Sequence, residues 1–201
     1  ELMAEIRRSY GLDQPFYVQL FGYVGRVLQG DLGSSYYFNV PVLDLILGRL
    51  GPTLLLVVTS LLLAIFTGTL FGVIASQRPN GIFSHFITIL ALIGFSAPVF
   101  WTAFLLIILF VSMLQILPLS GLAEPLTESG TWQWYLDVAY HLILPVVSLS
   151  SIYLAQYSRL ARASMMDILG SDYIRTARAK GLGQRVIIYK HALRNAVIPV
   201  I

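Results

Sequence analysis

Three windows of this chain carry no Asp, Glu, Lys or Arg: Gly51–Gln77, Pro79–Ala123 and Val138–Ser158. A backbone in hydrocarbon must satisfy its own hydrogen bonds, and a helix of roughly 20 apolar residues crosses the ~30 Å core. The first and last windows each hold one span, over about 53–75 and 138–158. The middle window is too long for one straight crossing. It reads as an apolar lead-in helix over 82–95, a break at Pro98 and a span over about 99–117; a re-entrant hairpin is the other arrangement. The expected fold class is therefore all-α, a polytopic helical membrane bundle. Composition agrees: the chain is 57% hydrophobic and 11% charged, with mean hydropathy +0.77, far from soluble domains.

Charge placement orients these spans. Residues 118–137 contain Glu124, Glu128 and Asp137 and no Lys or Arg. Beyond Ser158 come Arg159, Arg162, Arg175, Arg178, Lys180, Arg185, Lys190 and Arg194, against Asp167 and Asp172 alone. The positive-inside rule puts 118–137 outside and 159–194 in the cytoplasm. Three crossings then place 1–50 outside and the 76–81 connection, with Arg78, inside. Trp132, Trp134 and Tyr135 stand where an interfacial aromatic belt is expected.

Residues 172–201, DYIRTARAKGLGQRVIIYKHALRNAVIPVI, make a basic, glycine-punctuated pair of helices. Asp172 is positioned to cap a helix over roughly 173–180. Gly181 stands where a helix C′ residue needs left-handed dihedrals, and Gly183 keeps the turn open. A second helix runs from about Gln184 until Pro199 interrupts it. Such a compact basic knob on the cytoplasmic face of a polytopic protein fits a docking surface for a soluble partner. Topological charge and attraction to anionic lipid account for the charge, though not for the helix–glycine–helix layout.

The segment resembles the EAA loop of ATP-binding-cassette importer permeases. Aligning on Gly181 puts Arg175, Thr176 and Ala177 on the E-A-A positions; Ala177 matches, while Arg175 and Thr176 depart from the consensus. HALRNAVIPV at 191–200, GLDQPFYVQ at 11–19, GDLGSS at 30–35 and GFSAPVFW at 94–101 are similar to the dipeptide/oligopeptide/nickel permease family. The resemblance implies a type I permease-like helix bundle in the cell (inner) membrane. It implies an extracytoplasmic segment at 1–50 after a missing first span, and a core at 51–201 with a coupling loop at 159–198. Arg175, Thr176, Ala177, Lys180, Gly181 and Gly183 would meet the ATPase. Implied partners are a second permease subunit, two cytoplasmic ATPase subunits, an extracytoplasmic solute-binding protein, and a peptide or related small solute. The chain opens at Glu1 without a signal-peptide pattern after Arg7–Arg8 and stops at Ile201 as an apolar run resumes; the resemblance implies one earlier span and about two later ones.

Catalytic chemistry is not written here. No G-x-x-x-x-G-K-[ST] and no H-E-x-x-H occurs, His85, His141 and His191 are scattered, and GFSAP around Ser96 is not a nucleophile elbow. No cofactor or metal is expected, and a partner must supply the energy. An ion-coupled secondary transporter, the alternative class, calls for intramembrane carboxylates or an inverted repeat, and an intramembrane enzyme for a polar catalytic pair. Gly68 and Gly72, four apart, fit either tight packing within the subunit or a subunit interface. Ser148, Ser150, Ser151, Tyr153, Gln156 and Tyr157 fit either a translocation path or hydrogen bonds to neighbouring helices.

Overall fold

A computed structural model describes residues 13–200; Glu1, Arg7–Arg8, the start of the 11–19 stretch and Ile201 lie outside the described residues. Those described are helical, apart from loops and one isolated bridge between Ser34 and Pro41. The chain divides into two compact units, 1–53 and 54–201.

In the first unit, helix α1 (Phe16–Leu28) follows Pro15 and ends in a turn at Gly30, whose φ is +83°. Asp31 Oδ1 accepts the Gly33 N–H at 2.9 Å, and the Ser34–Pro41 bridge closes a loop through Asn39. Helix α2 (Val42–Gln77) begins here and continues into the second unit. It passes through Pro52, whose missing N–H leaves the Gly48 carbonyl without its helical donor. The helix is thus longer than the 53–75 segment at both ends.

In the second unit, α2 turns a small-residue face inward. Ser60, Ala64, Gly68, Gly72 and Ser76 recur every fourth residue and are buried, while Leu62 and Phe66 are exposed. Apolar helices in lipid gain no hydrophobic term from pairing, so close backbone approach supplies the attraction. Helix α5 (Trp132–Leu169) fills this face. A Cβ on Gly72 would lie 2.5 Å from the Ser158 carbonyl oxygen, and one on Gly68 2.9 Å from that of Leu154. Within-chain packing is the role these glycines play here.

Helices α3 (Ile82–Ser96) and α4 (Val99–Leu106) meet at Pro98, with the chain turning by 105°. Proline disfavours helical dihedrals in the residue before it, and Ala97 is extended at φ −82°, ψ 130°. Helix α4 continues as a π-helical turn, Ile107–Met113, and ends short of Leu117 because Gln115 turns left-handed at φ +54°. The α2 and α5 helices are long and apolar enough to cross a membrane, with mean hydropathy 2.4 and 1.7; a third crossing exists only if α3 and α4 count as one bent span.

Helix α5 takes in the whole 138–158 segment and continues without a break to Leu169. Thr131 caps it, its Oγ1 accepting the Trp134 N–H at 3.2 Å. Its first turns hold the preceding loop. Asp137 Oδ2 accepts the Glu124 N–H, Asp137 Oδ1 lies 3.2 Å from His141 Nδ1, and the Tyr140 hydroxyl donates to the Ile116 carbonyl. The His141 Nδ1 thus helps tie the first turns of α5 together. Helix α6 (Asp172–Ala179) follows. A composite helix α7 then runs from Gln184–Val186 through a π-helical turn, Ile187–Ala192, to Leu193–Ala196, before a 3-10 turn at Ile198–Val200 takes in Pro199.

Candidate functional site

The basic knob is mounted on the bundle by one apolar cluster. Val73 from α2, Met165 from α5, Ile174 and Ala177 from α6, and Ile187, Ile188, Ala192 and Ala196 from α7 are buried together. The three-residue step from Ile174 to Ala177 keeps both on the inner stripe of α6. Met165 and Ile174 are fully buried at 0% exposure. Fully burying side chains of this size is worth about 1.5–3 kcal/mol each, so the knob is a rigid extension of α5. A polar clip adds to it, with Asn195 Nδ2 donating to the Tyr173 hydroxyl at 2.9 Å.

The helix start differs from expectation. Ser171 occupies the cap position and Asp172 is the first helical residue. The Ser171 hydroxyl donates backward to the Ile168 carbonyl at 2.6 Å, which leaves Asp172 to complement the helix dipole from the first turn. Asp172 also pairs with Arg175 at 3.3 Å, but both side chains are largely exposed and such a pair contributes little.

At the other end of α6 the backbone follows the Schellman pattern. The Gly181 N–H donates to the Arg178 carbonyl at 2.9 Å and the Leu182 N–H to that of Ala177 at 3.3 Å. This closure needs a left-handed residue, and Gly181 has φ +77°. Gly183 differs from its expected role: it is extended at φ −63°, ψ 145°, a conformation open to any residue, and it precedes α7 as its cap.

The six motif positions split by face. Arg175, Thr176, Lys180, Gly181 and Gly183 are exposed, whereas Ala177 is buried in the cluster and acts as an anchor. Arg178, Arg185 and Lys190 join them on the open surface, interleaved with Leu182, Val186 and Tyr189, each between 39% and 54% exposed. The knob thus offers cations around an apolar centre, with Asp172 the one acid on either helix. That pattern suits a protein surface carrying acids around an apolar cleft.

Two further features lie in the same unit. A cavity of about 370 Å³ opens among α2, α4, α5 and the 118–121 loop, lined by Leu56, Ile107, Ser120, His141 and Ser148 among others. Of the polar stretch on α5, Ser148 lines this cavity, but the serines spend their hydroxyls on their own helix. Ser148 donates to the Pro145 carbonyl, Ser150 to that of Val147 and Ser151 to that of Ser148. These three hydroxyls thus bond within α5 rather than to neighbouring helices.

The second feature is Arg162 of α5. Its Nη1 donates to Thr88 Oγ1 on α3 at 2.9 Å and its Nη2 to the Pro79 carbonyl at 3.1 Å. In the sequence Arg162 is one of the eight basic residues beyond Ser158 and opens the stretch that leads from the last span to the knob. Its partners lie 74 and 83 positions away and neither is charged, so no local signal marks them.

Comparisons with known proteins converge. The family model for the binding-protein-dependent transport system inner membrane component matches residues 68–201. The oligopeptide transport system permease protein AppB of Bacillus subtilis is 40% identical over 194 residues, covering 96% of this chain and 60% of the relative. The dipeptide transport system permease protein DppB of Escherichia coli is 38% identical, covering 100% of this chain and 64% of the relative. The di/tripeptide transport system permease protein DppB of Pseudomonas aeruginosa stands at the same values. The chain thus spans about three fifths of the length of the curated relatives it matches.

Proposed function

Because this chain belongs to the family of binding-protein-dependent transport system inner membrane components, we propose that it is a membrane-spanning permease subunit of an ATP-driven importer. It forms part of the translocation path for peptides or a related small solute, sits as a multi-pass protein in the cell (inner) membrane, and couples to separate ATPase subunits. Relatives named as oligopeptide, dipeptide and di/tripeptide permeases support the solute class. A second permease subunit completes the path, two cytoplasmic ATPase subunits drive it, and an extracytoplasmic binding protein delivers the solute.

The observation that carries this reading is the two-faced knob. Its inner face is fused to α5 through Met165, Ile174 and Ile187, while Arg175, Thr176, Lys180 and the Gly181 turn remain exposed. A docked ATPase that moves this surface moves α5 with it. The contacts must differ between the ATPase's nucleotide states, since a partner that binds both conformations equally shifts neither. The polypeptide in 118–137 and 1–50 faces the binding protein, and 76–81 shares the cytoplasmic side with the knob.

Gly181→Val tests the reading. Nothing lies within 4 Å of a Cβ at this position, so bulk is tolerated and the cost is conformational. A β-branched residue at φ +77° is disfavoured by on the order of 1–2 kcal/mol. The turn reshapes, the Arg175–Lys180 face is misplaced, and solute uptake falls while membrane insertion persists. Normal uptake together with normal ATPase pull-down would remove the coupling role from this turn.

A further inference from the structure

Arg162 of α5 lies outside the docking surface, and two hydrogen bonds hold its guanidinium. Its position is crowded. A Cβ on Gly72 would sit 2.8 Å from the Arg162 backbone nitrogen, so the residue lies where α2 crosses α5. From there its guanidinium reaches the Pro79 carbonyl in the α2–α3 connection and Thr88 on α3. Its Nε is buried and makes no hydrogen bond, and it takes part in neither of the ion pairs among the described residues. Arg162 is half-buried, and both groups that accept from its guanidinium are neutral. Lysine, a point donor, cannot reproduce a fork that bridges two elements.

The neighbours of Arg162 along α5 give the fork its meaning. Met165, three residues on, belongs to the cluster that mounts the knob. On the other side, α3 leads through Pro98 into the bent α3–α4 pair, where Ala103 of α4 and Ile107 of the π-helical turn after it line the cavity.

The geometry points to Arg162 as a positioning residue: a latch that makes the α2–α3 connection and α3 move as one body with α5, so that displacement of the knob reaches the bent pair. This rests on the importer reading above. With the latch open, the knob still docks and ATP is still hydrolysed, but α3 no longer follows α5.

The test uses the complete importer in native membranes, with wild type, Arg162→Met, Arg162→Lys and Thr88→Val, and Arg162→Met/Thr88→Val as the double variant. Spin labels at positions 82 and 166, both exposed, read the α3–α5 distance; uptake and ATP hydrolysis are measured on the unlabelled proteins. Arg162→Met is expected to broaden the distance distribution and lower uptake at least ~10-fold, with ATPase assembly and hydrolysis within about twofold of wild type. Thr88→Val should shift both in the same direction by less, and Arg162→Lys should restore only part of the uptake. The double variant should be no worse than Arg162→Met alone. A narrow, unchanged distance in Arg162→Met would overturn the latch. So would uptake and hydrolysis falling in proportion, or additive losses in the double variant. Failure of wild type itself to import with ATP would instead refute the importer reading, and the distance measurement would still decide the latch.

Discussion

Gly72→Ala is the smallest change that tests how the bundle is held. The added methyl would stand 2.5 Å from the Ser158 carbonyl oxygen, 2.7 Å from Ala161 Cβ and 2.8 Å from the Arg162 nitrogen. Two of these are backbone atoms of α5 and cannot rotate away. Ordinary contact begins near 3.4 Å, so the helices must part by 3.4 − 2.5 = 0.9 Å at this point. Overpacking of this kind typically costs about 1–3 kcal/mol. Alanine is the better helix former by roughly 0.8–1 kcal/mol, and that gain must be separated from the clash. Gly48→Ala in the same helix isolates it, because nothing lies within 4 Å of a Cβ there. Taking about 2 kcal/mol for the steric difference and about 2–4 °C per kcal/mol for a chain of this size, the Gly72 variant should melt roughly 4–8 °C below the Gly48 variant. Thermal unfolding of the purified proteins in detergent, followed by size-exclusion chromatography, measures this. Coincident melting of the two variants would refute close α2–α5 contact at Gly72.

Other consequences can be checked with simpler assays. Single cysteines at positions 31 and 128 should react with an impermeant thiol reagent in intact cells, and those at 78 and 180 should not; labelling at 180 but not at 128 would invert the topology. The purified chain, free of ATPase partners, should bind no nucleotide, since its sequence contains no glycine-rich phosphate cradle ending in lysine. Saturable ATP binding by equilibrium dialysis would contradict that.

The features legible in the sequence were those set by local chemistry. The left-handed turn at Gly181 followed from a glycine closing a short basic helix, and the break at Pro98 from a proline that cannot donate. Alternatives stayed open where the answer depended on what lies opposite. Gly68 and Gly72 advertise close approach without naming the partner, and only the position of α5 decides it. Ala177 was assigned by its place in a motif, although its spacing from Ile174 already put it on the apolar stripe. Gly183 is expected to keep the turn open, yet its backbone is extended in a region any residue adopts. The two π-helical turns, Ile107–Met113 and Ile187–Ala192, have no compositional mark, since one extra residue per turn is set by neighbouring packing.

The cluster beneath the knob also limits how this region can be exchanged between relatives. Val73 and Met165 lie outside the 172–200 segment, yet they close the pocket that receives Ile174 and Ile187. A graft of 172–200 alone would set a foreign inner face against a resident α2 and α5, and mismatched volumes there would tilt the whole docking surface. Under the proposed coupling, a chimera meant to change ATPase preference must carry the ends of α2 and α5 along with the loop. Substitutions at positions 73, 165, 174 and 187 should then appear as matched sets rather than singly.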